Sequence, residues 1–110
     1  MGYPRKANDQ RGSRRVGLEL PARLSVGSQL SLQGKLKDLS FKSAFIAVKN
    51  SVYLQMNDEV GFSIQRSVHN PSDPIEGLAR ISRIASGEGL AIYFTRMDEV
   101  AANRLRELLK

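Results

Sequence analysis

Three arginines crowd into one short stretch, Arg11-Gly12-Ser13-Arg14-Arg15, immediately before an alternating apolar pattern that begins at Val16. A guanidinium group is a planar fork of donors that fits a phosphate or the O6/N7 edge of guanine, and its flat face stacks on a base. Arg11 and Arg15 are four apart, so both can converge on one anion where the chain bends into a strand, with Arg14 beside them. A second group lies in Asp38-Leu39-Ser40-Phe41-Lys42-Ser43. A carboxylate there can accept from the N1/N2 edge of guanine, a hydroxyl can reach a base or phosphate, and a small third residue lets a ligand approach the backbone. Asp and Ser are also ordinary turn formers, so this group alone reads more readily as a turn than as a site. Taken with the arginines it points to a phosphorylated, purine-like anion.

Nothing else in the chain offers chemistry of this kind. The single histidine, His69, stands in a proline-containing loop without a carboxylate pair nearby, which suits a loop residue better than a general base or metal ligand. There is no cysteine, hence no disulfide and no thiolate metal site. Asp58-Glu59 and Asp98-Glu99 read as structural, the second pair because acids favour a helix start. Gly87-Glu88-Gly89 lies between two strands and lacks the strand-to-helix setting of a phosphate loop. We therefore expect no enzyme, no catalytic residue, no metal and no cofactor.

The formal charge of +6 and the pI near 10.1 favour an anionic partner, and the placement of that charge narrows it. Arg5, Lys6, Arg11, Arg14 and Arg15 against Asp9 leave the first fifteen residues at +4, while the remainder is close to balanced. That is the signature of a local anion site rather than a surface coated for long nucleic acid. Single-strand binders also interleave stacking aromatics with basic residues, whereas this chain is 6% aromatic without tryptophan, so a nucleic-acid partner is not expected. A chain of 110 residues is one domain in size. It has no apolar run of membrane-spanning length and no signal-peptide pattern, which implies no membrane insertion and a cytoplasmic protein.

The elements that must position these residues follow from the hydrophobic period. Residues 1–10 show none and are expected to form a flexible basic tail. From Val16 to Val26 apolar residues occupy alternate positions, the period of a strand with one buried face, and Pro21 within it must lie at an edge or bulge. Gly27-Ser28 suits a hairpin turn, and Leu30 to Leu36 resumes the alternation. Residues 38–43 read as a turn, Ala44 to Lys49 as a third strand, and Asn50 to Asp58 as a polar connection with a short helical turn around Val52 to Gln55. Val60 to Ile64, Ile75 to Ile84 and Leu90 to Phe94 read as further strands, with an exposed loop over His69 to Pro74. The period then changes: Asp98 to Leu109 places Ala101, Leu105 and Leu108 on one helical face, with Thr95 and Asp98 resembling a capping box. The fold expected is mainly β, a six-stranded antiparallel (split) β-barrel over residues 11–110 closed by a C-terminal α-helix at 98–109.

At this point the chain resembles the PilZ domain family, bacterial receptors for cyclic di-GMP. Arg11-Gly12-Ser13-Arg14-Arg15 before Val16 is similar to the family's R-x-x-x-R motif in spacing and context, and Asp38-Leu39-Ser40-Phe41-Lys42-Ser43 is similar to its D/N-x-S-x-x-G motif. The likeness continues through Asp58-Glu59-Val60, the strand from Gly77 to Ile84, the strand from Gly89 to Phe94 and the final Leu105 to Leu109 segment. It implies a second-messenger receptor that binds cyclic di-GMP on the outer face of the barrel. Arg11 and Arg15 would grip phosphates and guanine Hoogsteen edges, Arg14 would add charge, and Asp38 and Ser40 would hold the other edge of a guanine. Arg83 stands roughly where some relatives set an arginine or tryptophan against a guanine. Ligand binding would order the arginine segment and present a changed surface to a downstream protein partner. Ser43 departs from the motif glycine, which usually serves a positive φ or a close approach. A serine there implies either strain of about 1 kcal/mol or an obstruction to the ligand. The alternative is accordingly a degenerate domain that acts as a protein-interaction module without the nucleotide.

Overall fold

A computed structural model of the protein describes residues 16–27, 30–49, 54–67 and 73–110. Six strands and one helix follow one another: β1 Val16–Val26, β2 Leu30–Leu39, β3 Ser43–Ala47, β4 Glu59–Ile64, β5 Ile75–Ala85, β6 Gly89–Arg96 and α1 Glu99–Leu109. The strands form a closed barrel in the order β1-β2-β3-β6-β5-β4. Every neighbouring pair is antiparallel, and β1 meets β4 from Ala22↔Ile64 to Ser25↔Gly61 to complete the circuit. The expected fold is the observed one. The expected tail at 1–10, Arg11, Arg14 and Arg15, and His69 lie outside the described residues.

Alternation drives the closure. Leu24, Leu36, Ile46, Ile64, Ile75, Ile81, Leu90 and Ile92 point inward and are fully buried, while most of their strand neighbours are half-buried or exposed. Each such side chain contributes about 1.5–3 kcal/mol by leaving solvent. Pro21 sits where its missing N–H is harmless. Its carbonyl accepts from the Gln65 amide at 3.0 Å, so its nitrogen faces the same way, just beyond the last β1–β4 pair at Ala22↔Ile64. Gly27 has φ +64°, the left-handed geometry that a tight β1–β2 connection requires.

Three local expectations are revised. Residues 38 and 39 belong to β2 and Ser43 opens β3, so the turn between them is only Ser40 to Lys42. Thr95 lies inside β6 and does not cap the helix. The N-cap is Asp98, in extended conformation, whose Oδ1 accepts from the Ala101 amide at 2.8 Å. Around Val52 to Gln55, residues 50–53 lie outside the described part, and Leu54 and Gln55 are not helical. Asp58 is structural there, its Oδ2 accepting from the Gln55 amide at 2.9 Å.

Helix α1 inserts Ala101, Leu105 and Leu109 into the barrel core. Its polar side ties two loops together. Arg104 donates to the Pro74 carbonyl at 2.8 Å and pairs with Asp73 at 3.5 Å, while Arg106 lies over the Phe41 ring at 5.4 Å. Phe41 belongs to the Ser40–Lys42 turn, so the helix braces the β2–β3 connection from outside.

Candidate functional site

Two irregularities in the ladders decide which side chains reach the outer wall. Between β2 and β3 the register runs Leu36↔Ile46 and then Asp38↔Phe45, leaving Lys37 as an extra residue. Between β5 and β6 it runs Ile81↔Ile92 and then Arg83↔Ala91, leaving Ser82 extra. An inserted residue shifts the two-residue period by one, so two consecutive side chains face outward before the next turns in. Leu36 and Leu39 are buried while Lys37 and Asp38 between them are outside, and Ile81 and the half-buried Ile84 flank the exposed pair Ser82 and Arg83 in the same way. Without its bulge each of Asp38 and Arg83 would point into the core.

The bulges also bring the two residues into one transverse row. Gly17 pairs with Asp38, Asp38 with Phe45, Phe45 with Ala91, and Ala91 with Arg83. From Asp38 to Arg83 is three strand spacings, about 14 Å. A carboxylate at one end and a guanidinium at the other must therefore meet different parts of any shared ligand. A groove of about 480 Å³ runs along this row, lined by Asp38, Ser43, Phe45, Arg83 and Glu88, with Ala91 among its walls. Ala91 is the small residue that keeps the floor low between Phe45 and Arg83. The guanidinium carbon of Arg83 stands 5.6 Å from the Phe45 ring centroid, a contact worth about 0.5–1 kcal/mol at an exposed site. Another hollow, of about 420 Å³ near Arg23, Ser63 and Glu76, contains none of the expected site residues.

The turn that enters the groove is built on Ser40. Its side chain is only 1% exposed. Ser40 Oγ accepts from the amides of Ser43 at 3.1 Å and Lys42 at 3.2 Å, and lies 3.3 Å from the Ser43 carbonyl and 3.2 Å from Ser43 Oγ. The hydroxyl is thus committed to the backbone of its own turn, a local side-chain-to-backbone pattern typical of serine. Ser43, by contrast, stands at the groove wall. Among the described residues only Asn57 and Asp73 combine a side chain with positive φ, at 71° and 58°. Ser43 therefore carries no left-handed strain, and of the two expectations for a serine at this position only the obstruction concerns the geometry.

The charges around the row are arranged outside it. Lys37, the extra residue of the β2 bulge, donates to Glu19 Oε2 at 2.7 Å, and Lys35 approaches the same carboxylate at 3.8 Å. The Lys37 hydrogen bond and the two ammonium charges hold the Glu19 carboxyl below its ordinary range. Among the described residues no cluster of three or more His, Cys, Asp or Glu could hold a metal, and no helix is long and apolar enough to cross a membrane.

Of the residues singled out in the sequence, the structure brings Asp38, Ser43 and Arg83 to one groove and sets Ser40 behind it. Phe45, Ser82, Glu88 and Ala91 were not anticipated. Only Ser82 left a signal, in the apolar-polar-polar-apolar string Ile81-Ser82-Arg83-Ile84, which like Leu36-Lys37-Asp38-Leu39 marks a bulge once it is known to lie within a strand.

A closed antiparallel barrel with a polar groove on its outer wall is a binding scaffold. The model of the PilZ domain matches residues 9–110, and the chain belongs to the PilZ domain family, a family of cyclic di-GMP receptors that are binding modules rather than enzymes. Among solved structures it is similar to the inhibitor of motility MotI/DgrA of Bacillus subtilis, with TM-score 0.75 and 12% identity over 91% of this chain and 49% of that one. It is also similar to the PilZ domain of CeSA from a cellulose-synthesizing bacterium, with TM-score 0.66 and 19% identity over 86% of this chain and 93% of that one. At these identities the likeness is one of fold. The chain spans about half the length of MotI/DgrA. No curated protein sequence matches it.

Proposed function

We propose that this domain is a cyclic di-GMP receptor that holds the dinucleotide along the Asp38-Phe45-Ala91-Arg83 row of its outer wall. The observation that carries this reading is that two register shifts, on two different strands, turn Asp38 and Arg83 outward into one groove. In the proposed complex Asp38 accepts from the N1/N2 edge of one guanine, Arg83 and the Phe45 ring face a base, and Ser40 fixes the turn that carries Ser43. Arg11, Arg14 and Arg15 supply the phosphate contacts. Chain connectivity supports this: Arg15 directly precedes Val16, whose β2 partner is Leu39, next to Asp38. Ordering of the arginine segment over the ligand would then alter the surface offered to a protein partner. Such disorder-to-order coupling is a common switch.

Calorimetric titration with cyclic di-GMP tests the reading, with Arg15→Ala as the control. Saturable binding that the variant loses is expected; absence of binding, or equal binding by the variant, would refute it. One observation favours a second reading. Ser43 lines the groove where the family motif has glycine, and a chain that this side chain obstructs would act only as a protein-interaction module. In that case Ser43→Gly gains nucleotide binding that the natural chain lacks.

A further inference from the structure

We infer that Glu88 determines specificity for the second base of a cyclic dinucleotide, an inference that rests on the receptor reading above. Glu88 lines the same groove as Asp38 and Arg83. It stands in the β5–β6 turn, where its amide donates to the Ala85 carbonyl at 2.8 Å and Gly87 takes φ +80°. Its backbone is therefore fixed while its side chain is exposed. The Phe45 ring lies against the next residue: a Cβ placed on Gly89 would meet Phe45 Cε2 at 2.9 Å. Phe45 thus packs beside the turn that carries Glu88 and is paired across the ladder with Asp38. Among the described residues neither Glu88 nor Arg83 takes part in an ion pair.

A carboxylate beside a dianionic ligand is unfavourable unless the ligand gives it donors. Guanine does so uniquely among the purines, because N1–H and N2–H₂ present two adjacent donors that match the two oxygens of a carboxylate. Adenine presents N6–H₂ beside the N1 lone pair, so one carboxylate oxygen would face an acceptor. With Asp38 taking the N1/N2 edge of one guanine, phosphates drawn to the arginine segment and Arg83 and Phe45 facing a base, Glu88 is the other acid of the groove lining and the one left to meet the N1/N2 edge of the second base. It admits guanine and penalises adenine there.

The test is titration of the natural domain, Glu88→Gln and Glu88→Ala with cyclic di-GMP, cyclic GMP–AMP and cyclic di-AMP. The natural domain is expected to prefer cyclic di-GMP over the mixed dinucleotide by about 10- to 100-fold, the range of one well-made paired contact. In Glu88→Gln the amide offers one donor and one acceptor, the complement of adenine, so that preference should vanish or reverse. Glu88→Ala should lose affinity for cyclic di-GMP and, without the carboxylate that penalises adenine, gain some for the mixed dinucleotide, so that the preference narrows. A Glu88→Gln variant with the natural preference ratio would overturn the role of Glu88 and leave the receptor reading standing. A natural domain that binds none of the three would overturn both.

Discussion

Replacing Ser40 by alanine separates two roles that one hydroxyl can play. If the oxygen holds the turn, its loss strands the Ser43 amide, 3.1 Å away, and the Lys42 amide, 3.2 Å away. A stranded buried donor costs about 1–3 kcal/mol, an exposed one far less because water takes over. Lys42 is exposed and Ser43 only half-buried, and the Ser40 amide keeps its 2.8 Å bond to the Ser43 carbonyl. The expected loss is therefore about 1–2 kcal/mol. With a urea dependence of about 2 kcal/mol/M, the unfolding midpoint should fall by about 0.5–1 M. Cyclic di-GMP affinity, measured on the same variant well below that midpoint, should drop by less than about tenfold, because at 1% exposure Ser40 does not present its oxygen to a ligand. An unchanged midpoint would refute the turn-holding role, and natural stability with abolished binding would show that the hydroxyl touches the nucleotide directly.

Arg83→Ala should show the opposite pattern. The side chain is exposed and its described contact is the Phe45 ring, so thermal stability should change by less than about 1 kcal/mol while calorimetry shows weaker dinucleotide binding. Asp98→Ala removes the N-cap bond to Ala101 and should cost about 1 kcal/mol in chemical unfolding, with dinucleotide affinity retained. Glu19 should titrate below its ordinary value of 4.5, and Lys37→Ala should raise that titration point in a carbon-detected NMR experiment. Because its folded-state value is the lower one, the Glu19 carboxylate stabilises the fold above its unfolded-state titration and loses that contribution as pH falls through the folded value.

The strands were legible because their alternation is nearly unbroken. Val16 to Val26 and Val60 to Ile64 read correctly from period alone, and the Asp98–Glu99 helix start from its acids. The site was legible only in part, and the reason is geometric. Asp38 read as a turn residue because a short acid among serines is a turn signal, yet β2 runs through it, its pairing preserved on both sides by Gly17 and Phe45. Thr95 failed as a cap because strand pairing carries β6 on to Arg96, leaving Asp98 as the first extended residue able to reach the Ala101 amide. Phe45, Ala91 and Glu88 were invisible for a different reason. Each acquires its place from neighbours on other strands, and nothing local distinguishes Ala91 from any small residue in a sheet.

The bulges at Lys37 and Ser82 make the groove a matter of counting. A regular strand has room for one outward side chain between Leu36 and Leu39, so removing either middle residue would leave Lys37 or Asp38 on the wall but not both. The same holds between Ile81 and Ile84. Transplanting this wall onto another barrel, with Lys37 beside Asp38 and Ser82 beside Arg83, would therefore require copying the lengths of two strands as well as the side chains.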